Sequence, residues 1–496
     1  MSPEDELRDR LPGLADRVGP PSSDGRGLAG RVAREAADRR RTSRGVLVAV
    51  GCVVLLGVAV PQLIDGDAPP AAGPASGAAS GVPEAARAVP GGAPADYFTG
   101  PTRGSLAGDD EFLDGVTALP WAAEPPVRAA DGTILYYLPD PPVEARRVVF
   151  AGDVPGGRWA LVVGNTTRGA AEAAGVPPEV VPSDTLAAAW FTGPPGATAD
   201  RMTLANEPST ISTDWPAALT DPRNGVLVVV AAPGDAVEVS QRPMIDAEGQ
   251  TSREWRPVET DDGIAVTRVS PFPRPYDGST SYRVLRDGRL EARDMPWSIF
   301  YEELVDQPLP IEYPRGRPGD LGDQAARFAA ANVLGELGLS TAQVTVRAPW
   351  VGALPNGGDG QAAVVTITLP SGAVVVTSQW LMPQQPDGSY TGGFCGQSVL
   401  PAGPPAERRV HALSCEVVDG TTGAPMSTDL VVVAPPEVTL VRTYDGDRVF
   451  LSEHSTRDGV LVVPMPLGTD TVEAVTAGGV TLGRVDLLGN AVDFGD

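Results

Sequence analysis

A mainly β fold, carried on one transmembrane helix and a flexible linker, is what this chain predicts, and three observations predict it. Residues 45–64, GVLVAVGCVVLLGVAVPQLI, run for twenty positions without a charge. Residues 68–95 are Ala, Pro, Gly or Ser at 24 of 28 positions. Beyond Asp96, short apolar runs alternate with Asp-Gly and Asn-Gly pairs, whose tolerance of positive φ suits tight antiparallel hairpins.

The first element is a short polar arm, residues 1–44, interrupted by Pro12, Pro20 and Pro21 and holding 10 Arg against 8 Asp or Glu. It is too thin in apolar residues to build its own core. Residues 45–64 follow. At about 1.5 Å per residue, a helix of this length covers the roughly 30 Å of hydrocarbon in a bilayer. Arg39, Arg40, Arg41 and Arg44 sit directly before it and hold that end in the cytoplasm, which places the C-terminal part outside the cell. The rival reading is a cleaved secretory signal, but the run is long for a signal core and no A-x-A site lies immediately behind it. The lipid bilayer is therefore the expected partner of residues 45–64.

Residues 65–95 read as a linker that cannot bury enough apolar surface to offset its ordering entropy. As a flexible coil it holds the ectodomain roughly 30 Å from the membrane. The ectodomain is divided near residue 318 into a β-rich module at 96–318 and a helix plus β-rich module at 319–496. Arg147 to Val163 resembles Ala363 to Gln379, and Gly225 to Ser240 resembles Asp429 to Arg442. The stretches at 261–273 and 457–468 then each pass through an Asp-Gly turn into an apolar strand, which together points to an internal duplication.

One segment breaks the β pattern. Asp320 to Gly338 sets Leu321, Ala325, Phe328, Ala331 and Leu334 at helical spacing, with Asp320 as the expected N-cap and Gly338 as the stop. The closing region has strands expected near 438–442, 459–463, 471–475 and 480–487. Their spacing of roughly ten residues suits a sandwich of the immunoglobulin-like general type.

Composition removes several function classes. The 38 basic residues are all arginine, which with the abundance of Ala, Gly and Pro points to high-GC coding of the actinobacterial type. Without lysine there is no phosphate-binding GK[ST] loop, no Ser-x-x-Lys site and no Schiff base. His411 and His454 are the two histidines, too few for a three-imidazole metal site within one chain. Residues 45–496 hold 28 Arg against 55 Asp or Glu, a net charge of −27 that repels phosphate backbones, so nucleic acid is not an expected partner.

Cys52 lies in the apolar run, where it serves as a small filler. Cys395 and Cys415 lie beyond it, with nineteen residues between them, and are expected to form a disulfide, with a bond to another chain as the alternative. Gly392-Gly393-Phe394-Cys395-Gly396 with His411 could also describe an exposed thiol beside a base. A disulfide would consume that nucleophile.

Trp297 to Asp306 places Glu302 and Glu303 beside Trp297, Phe300 and Tyr301. Adjacent carboxylates diverge on a helix or a strand, so inward packing of the aromatics explains the cluster with less than a glycosidase pair would. The acids at 109–111 and 445–447 lack the alternating ligand order of a calcium loop and read as turns.

These residues assign no catalytic, cofactor-binding or metal-ligating position, and no cofactor is expected. The reading they support is a single-pass, non-catalytic binding or scaffolding protein whose partner is a cell-surface protein or a glycan. Two alternatives remain: a transmembrane regulator acting through an anti-sigma-like arm, and an extracytoplasmic hydrolase using carboxylates from distant positions.

Overall fold

The computed structural model describes residues 97–121, 127–128, 134–136, 138, 140–165, 186–272, 278–299, 301, 309–355, 357–384, 390–418 and 425–489. The arm, the apolar span and the linker, residues 1–95, lie outside the described residues. Among those described, no helix is long and apolar enough to cross a membrane.

What is described is mainly β. The first half contains α1 (Asp110–Thr117) and the strands β1 (Val127–Arg128), β2 (Ile134–Tyr136), β3 (Arg146–Val154), β4 (Gly157–Asn165), β5 (Leu186–Gly193), β6 (Thr203–Leu204), β7 (Ser209–Ile211), β8 (Ala217–Asp221) and β9 (Val226–Val230). It continues with β10 (Ala236–Ser240), β11 (Pro243–Ile245), β12 (Thr251–Arg253), β13 (Arg256–Val258), β14 (Thr260–Asp261), β15 (Ile264–Arg268), β16 (Ser281–Arg286), β17 (Arg289–Asp294) and β18 (Trp297–Ser298). The second half opens with α2 (Asp320–Leu337), then β19 (Thr345–Ala353), β20 (Gln361–Thr368), β21 (Val374–Leu381), β22 (Gly392–Leu400), β23 (His411–Val418) and β24 (Pro425–Val433). It closes with β25 (Val438–Tyr444), β26 (Phe450–Ser455), β27 (Val460–Pro464), β28 (Thr471–Thr476) and β29 (Thr481–Asp486).

Each half stacks a helix, a meander sheet, a middle sheet and an outer four-stranded sheet. The meanders are β3-β4-β5-β6, with β7 also on β5, and β19-β20-β21-β22. Counted from β8 in one half, leaving out the inserted β11-β12 hairpin and β14, and from β23 in the other, seven strands follow in the same order. The middle sheets run 5-2-1 as β15-β9-β8 and β27-β24-β23, and the outer sheets run 4-3-6-7 as β13-β10-β16-β17 and β26-β25-β28-β29. In the first half β14 and β18 extend the middle sheet at its two edges, β18 in parallel with β8.

This layering explains the apolar runs. A middle strand is covered on both faces, so Val226 to Val230 is buried at every position instead of alternating. An outer strand such as β28, Thr-Val-Glu-Ala-Val-Thr, buries Val472 and Ala474 against the middle sheet and leaves Glu473 on the other face. On the far side of the first meander, Phe112 and Val116 of α1 meet Val148, Val162, Ala187 and Phe191.

Sequence similarity and structure coincide at 225–240 and 429–442, which form β9-β10 and β24-β25. The other pair needs a correction. Arg147 to Val163 is β3-β4 and Ala363 to Gln379 is β20-β21, yet by position in the meander β3 corresponds to β19. Each of these first strands carries a bulge, between Val148 and Phe150 and between Arg347 and Trp350. Each also takes a parallel bridge from the segment before the helix, Arg103 to Phe150 and Glu312 to Arg347. Strand-turn-strand chemistry is shared by every hairpin of a meander, so the sequences match equally well one strand out of step.

The helix at 320–337 is present with two differences. Gly319 is the N-cap, with no side-chain bond, and Asp320 begins the first turn, while Gly338 ends the helix at φ 59°. The face on the sheet is Gly322, Ala325, Ala326, Ala329, Ala330, Val333, Leu334 and Leu337, which keeps Ala325 and Leu334 of the expected face, while Phe328 and Leu321 are only partly buried at its margin. Small residues win because the helix lies close: a Cβ on Gly322 would stand 2.5 Å from Val351 Cγ1.

Of the described Asp-Gly pairs, 262–263, 287–288 and 458–459 have positive φ at both residues, as a tight hairpin turn requires. At Asp445-Gly446 the positive φ falls instead on Arg448. Two of these turns are clamped. Arg103, 6 % exposed, donates to Ala231 O at 2.6 Å, Asp262 O at 2.9 Å and Tyr97 O at 3.0 Å. In the second half Arg315 donates to Asp458 O and, at 2.9 Å, to Ala434 O. Burial lowers the pKa of both guanidiniums.

Candidate binding surfaces

Cys395 and Cys415 are bonded to each other, joining β22 of the meander to β23 of the middle sheet. The glycines around Cys395 lie within β22 and not in a turn. They make room for an indole: a Cβ on Gly393 would stand 2.5 Å from Trp380 Nε1, which itself donates to Glu416 O at 2.9 Å. The thiol of the nucleophile reading is thus consumed.

His411 is 2 % exposed, and its Nε2–H donates to Ala406 O at 3.0 Å. Burial, reinforced by nearby Arg409, pushes its pKa down to about 4. A group held neutral in the fold stabilises it fully above its ordinary pKa, and that contribution is lost as pH falls from about 6.5 towards 4. Across this window the wild-type chain is expected to lose about 3 kcal/mol more stability than His411→Gln. Denaturant midpoints of both proteins against pH check this; parallel curves would refute it.

The aromatic and acidic cluster at 297–306 is only partly described. Trp297 packs against the first-half core, and Tyr301 donates to Asp221 Oδ1 at 2.9 Å beneath Arg223, whose guanidinium lies 3.9 Å from the ring centre. Burial, then Asp221, raises the Tyr301 pKa. Phe300 and the acids Glu302, Glu303 and Asp306 lie outside the described residues. Asp109 caps α1 by accepting from Phe112 N at 3.1 Å, and Asp445 accepts from Val449 N at 2.8 Å. Among the described residues, no group of three or more His, Cys, Asp or Glu is placed to hold a metal. A cavity of about 210 Å³ opens beside Arg347, between Thr345, Thr368 and the 403–406 loop, and no carboxylate lines it.

Two surfaces of similar composition, at different strand positions, were not legible in the sequence. In the outer sheet of the first half, Trp255 lies between the guanidiniums of Arg283, at 4.8 Å, and Arg293, at 5.3 Å from the ring centre. Arg283 is also paired with Glu238, its cross-strand neighbour. In the outer sheet of the second half, Arg484 lies 4.1 Å from the Tyr444 ring centre, and Tyr444 Oη donates to Glu473 at 2.9 Å. Phe450 meets Tyr444 edge-on at 6.0 Å, and Arg442 pairs with Glu453 at 2.8 Å and Glu473 at 3.5 Å. The partial signal was the run of Arg283, Arg286, Arg289 and Arg293 among Asp287, Glu291 and Asp294, but a bulge opposite Val284 and Leu285 puts Arg289 and Arg293 on opposite faces of β17, which alternation along the strand does not reveal. Arg286 does not join this surface: it makes two 2.8 Å bonds to Asp235, which is buried.

No family model matches the chain, and no curated protein matches it. Among solved structures, a BSP domain of a biofilm-associated protein shares 10% identity at TM-score 0.15, covering 62% of this chain and 76% of its own. A tetra-tandem repeat from the extending region of a large adhesion protein shares 12% at TM-score 0.11, covering 66% and 95%. The sialidase of Trypanosoma rangeli in complex with sialic acid shares 11% at TM-score 0.13, covering 76% and 52%. Likeness of this size assigns the chain to no family.

Proposed function

We propose that this is a single-pass, membrane-anchored extracytoplasmic protein whose duplicated β-rich part is a non-catalytic binding or scaffolding module for a cell-surface protein or glycan. The observation that carries the reading is the recurrence, on the outer sheet of each half, of an aromatic ring held by arginine beside an arginine–glutamate pair. Aromatic and arginine side chains held rigidly on an open sheet suit recognition, because little conformational freedom is lost on contact. The identical strand order of the two halves supports duplication. The charge-free span behind four arginines and the acidic remainder support the anchor and its direction, and a disulfide fits an oxidising compartment.

Crosslinking on intact cells tests the binding reading. Capture of a partner by the full chain should fall about tenfold in the Trp255→Ala/Tyr444→Ala variant at normal surface display. Deletion of residues 1–44, keeping a start and the apolar span, should leave capture intact. Undiminished capture by the double variant counts against these faces, and loss on deleting the arm favours the regulator.

A further inference from the structure

The two halves are joined through one end of the first sandwich. That end is formed by the connection from β10 to β13, which contains the β11-β12 hairpin, and by the connection from β15 to β16. Ile245 of the hairpin packs against the core beneath α2. Ala402 N donates to Ala247 O at 2.6 Å, and a Cβ on Gly338, which ends α2, would stand 2.8 Å from Ser279. This end of the unit is therefore a docking end, and in the first half a helix terminus and a strand terminus occupy it.

The same end of the second sandwich is formed by the shorter connections 445–449 and 465–470. Asp470 N donates to Tyr444 O at 2.9 Å, and Met465 N donates to Thr428 O at 2.9 Å, which brings both loops to the start of β24. Three apolar side chains outside the Tyr444 face are exposed here: Leu467 at 97%, Val449 at 57% and Met426 at 56%. Asp447 and Asp470 are exposed beside them, Asp445 is half-buried, and Arg448 is the cation of these loops. An apolar tip with an acidic border marks a contact surface.

We infer that this tip docks a second protein through an apolar helix end bordered by arginine or lysine. The helix end is the kind of element that the equivalent tip of the first half already holds. The cationic border follows from the acids around the tip. A second copy of this chain is disfavoured, because its α1 opens with Asp109, Asp110 and Glu111 and has no basic residue in its last turn.

The test uses the full chain in nanodiscs to pan a displayed library of helical peptides. Selected binders should carry apolar residues flanked by Arg or Lys and should weaken as salt is raised. Their affinity should fall about tenfold for the Leu467→Asp/Val449→Asp variant, with its thermal midpoint unchanged. Absence of binders, selection of acidic or uncharged sequences, or equal binding to the variant would overturn the inference. Self-association of the wild-type chain that these substitutions abolish would overturn it too, by giving the tip to a second copy. Because neither residue belongs to the Trp255 and Tyr444 faces, failure here is separable from failure of the binding reading above.

Discussion

Arg103→Met is expected to lower stability by about 4 kcal/mol, because it strips a buried charged donor from three carbonyls at once, two of them buried. Those carbonyls belong to Ala231, Asp262 and Tyr97, so the variant loosens the paired strands β9 and β15 and the entry segment together. Methionine fills similar space and donates nothing, which separates the lost bonds from a cavity. The matching clamp supplies an internal control. Arg315 is more exposed than Arg103, with its guanidinium only partly buried, and spans two carbonyls, so Arg315→Met should cost about 1 kcal/mol, since water replaces most of its bonds. Hydrogen exchange of the full chain checks both, as amides of β9 and β15 should open in the first variant and those of β24 and β27 only slightly in the second. Equal effects at the two sites would mean that burial does not govern the clamp.

The Cys395→Ala/Cys415→Ala variant should lose a comparable amount. Releasing a loop of about twenty residues removes roughly 3 kcal/mol under the chain-entropy model, and replacing two buried sulfurs leaves a further loss of packing. Both cysteines sit in the core between the second meander and its middle sheet, with Trp350, Trp380, Val376, Leu413 and Val431. The first half fills the corresponding space differently, with Phe150, Trp159 and Trp190 at ring separations of 6.2 and 6.4 Å. Loss should therefore fall on the second half alone. Denaturant unfolding should show a lower midpoint for exposure of Trp350 and Trp380, with exchange across β3 to β5 unchanged. Destabilisation spread evenly over both halves would contradict this placement.

The β character of the chain and many of its tight turns were legible in the sequence. Valine runs at 226–230 and 430–433 mark strands covered on both faces, and the Asp-Gly pairs at 262, 287 and 458 mark tight turns. Other features were legible only in outline. The spacing of 320–338 indicates a helix, but its sheet-facing stripe is alanine where periodicity favoured Phe328, since close approach of helix and sheet excludes a ring. The strand at 450–455 was missed because Phe-Leu-Ser-Glu-His-Ser belongs to an outer edge and buries little.

The sequence alone determined where many of the strands and tight turns and α2 lie, but not α1, and that residues 45–64 form a charge-free span, because these depend on backbone preferences and burial periods set within a few neighbours. Tertiary structure decided which groups meet: Arg103 with carbonyls 128 and 159 residues away, and Trp255 between two arginines on separate strands. It also decided which end of a sandwich is covered by the next unit and which is left bare. Such encounters follow from the order in which sheets stack, and strand-by-strand propensity carries no record of that order.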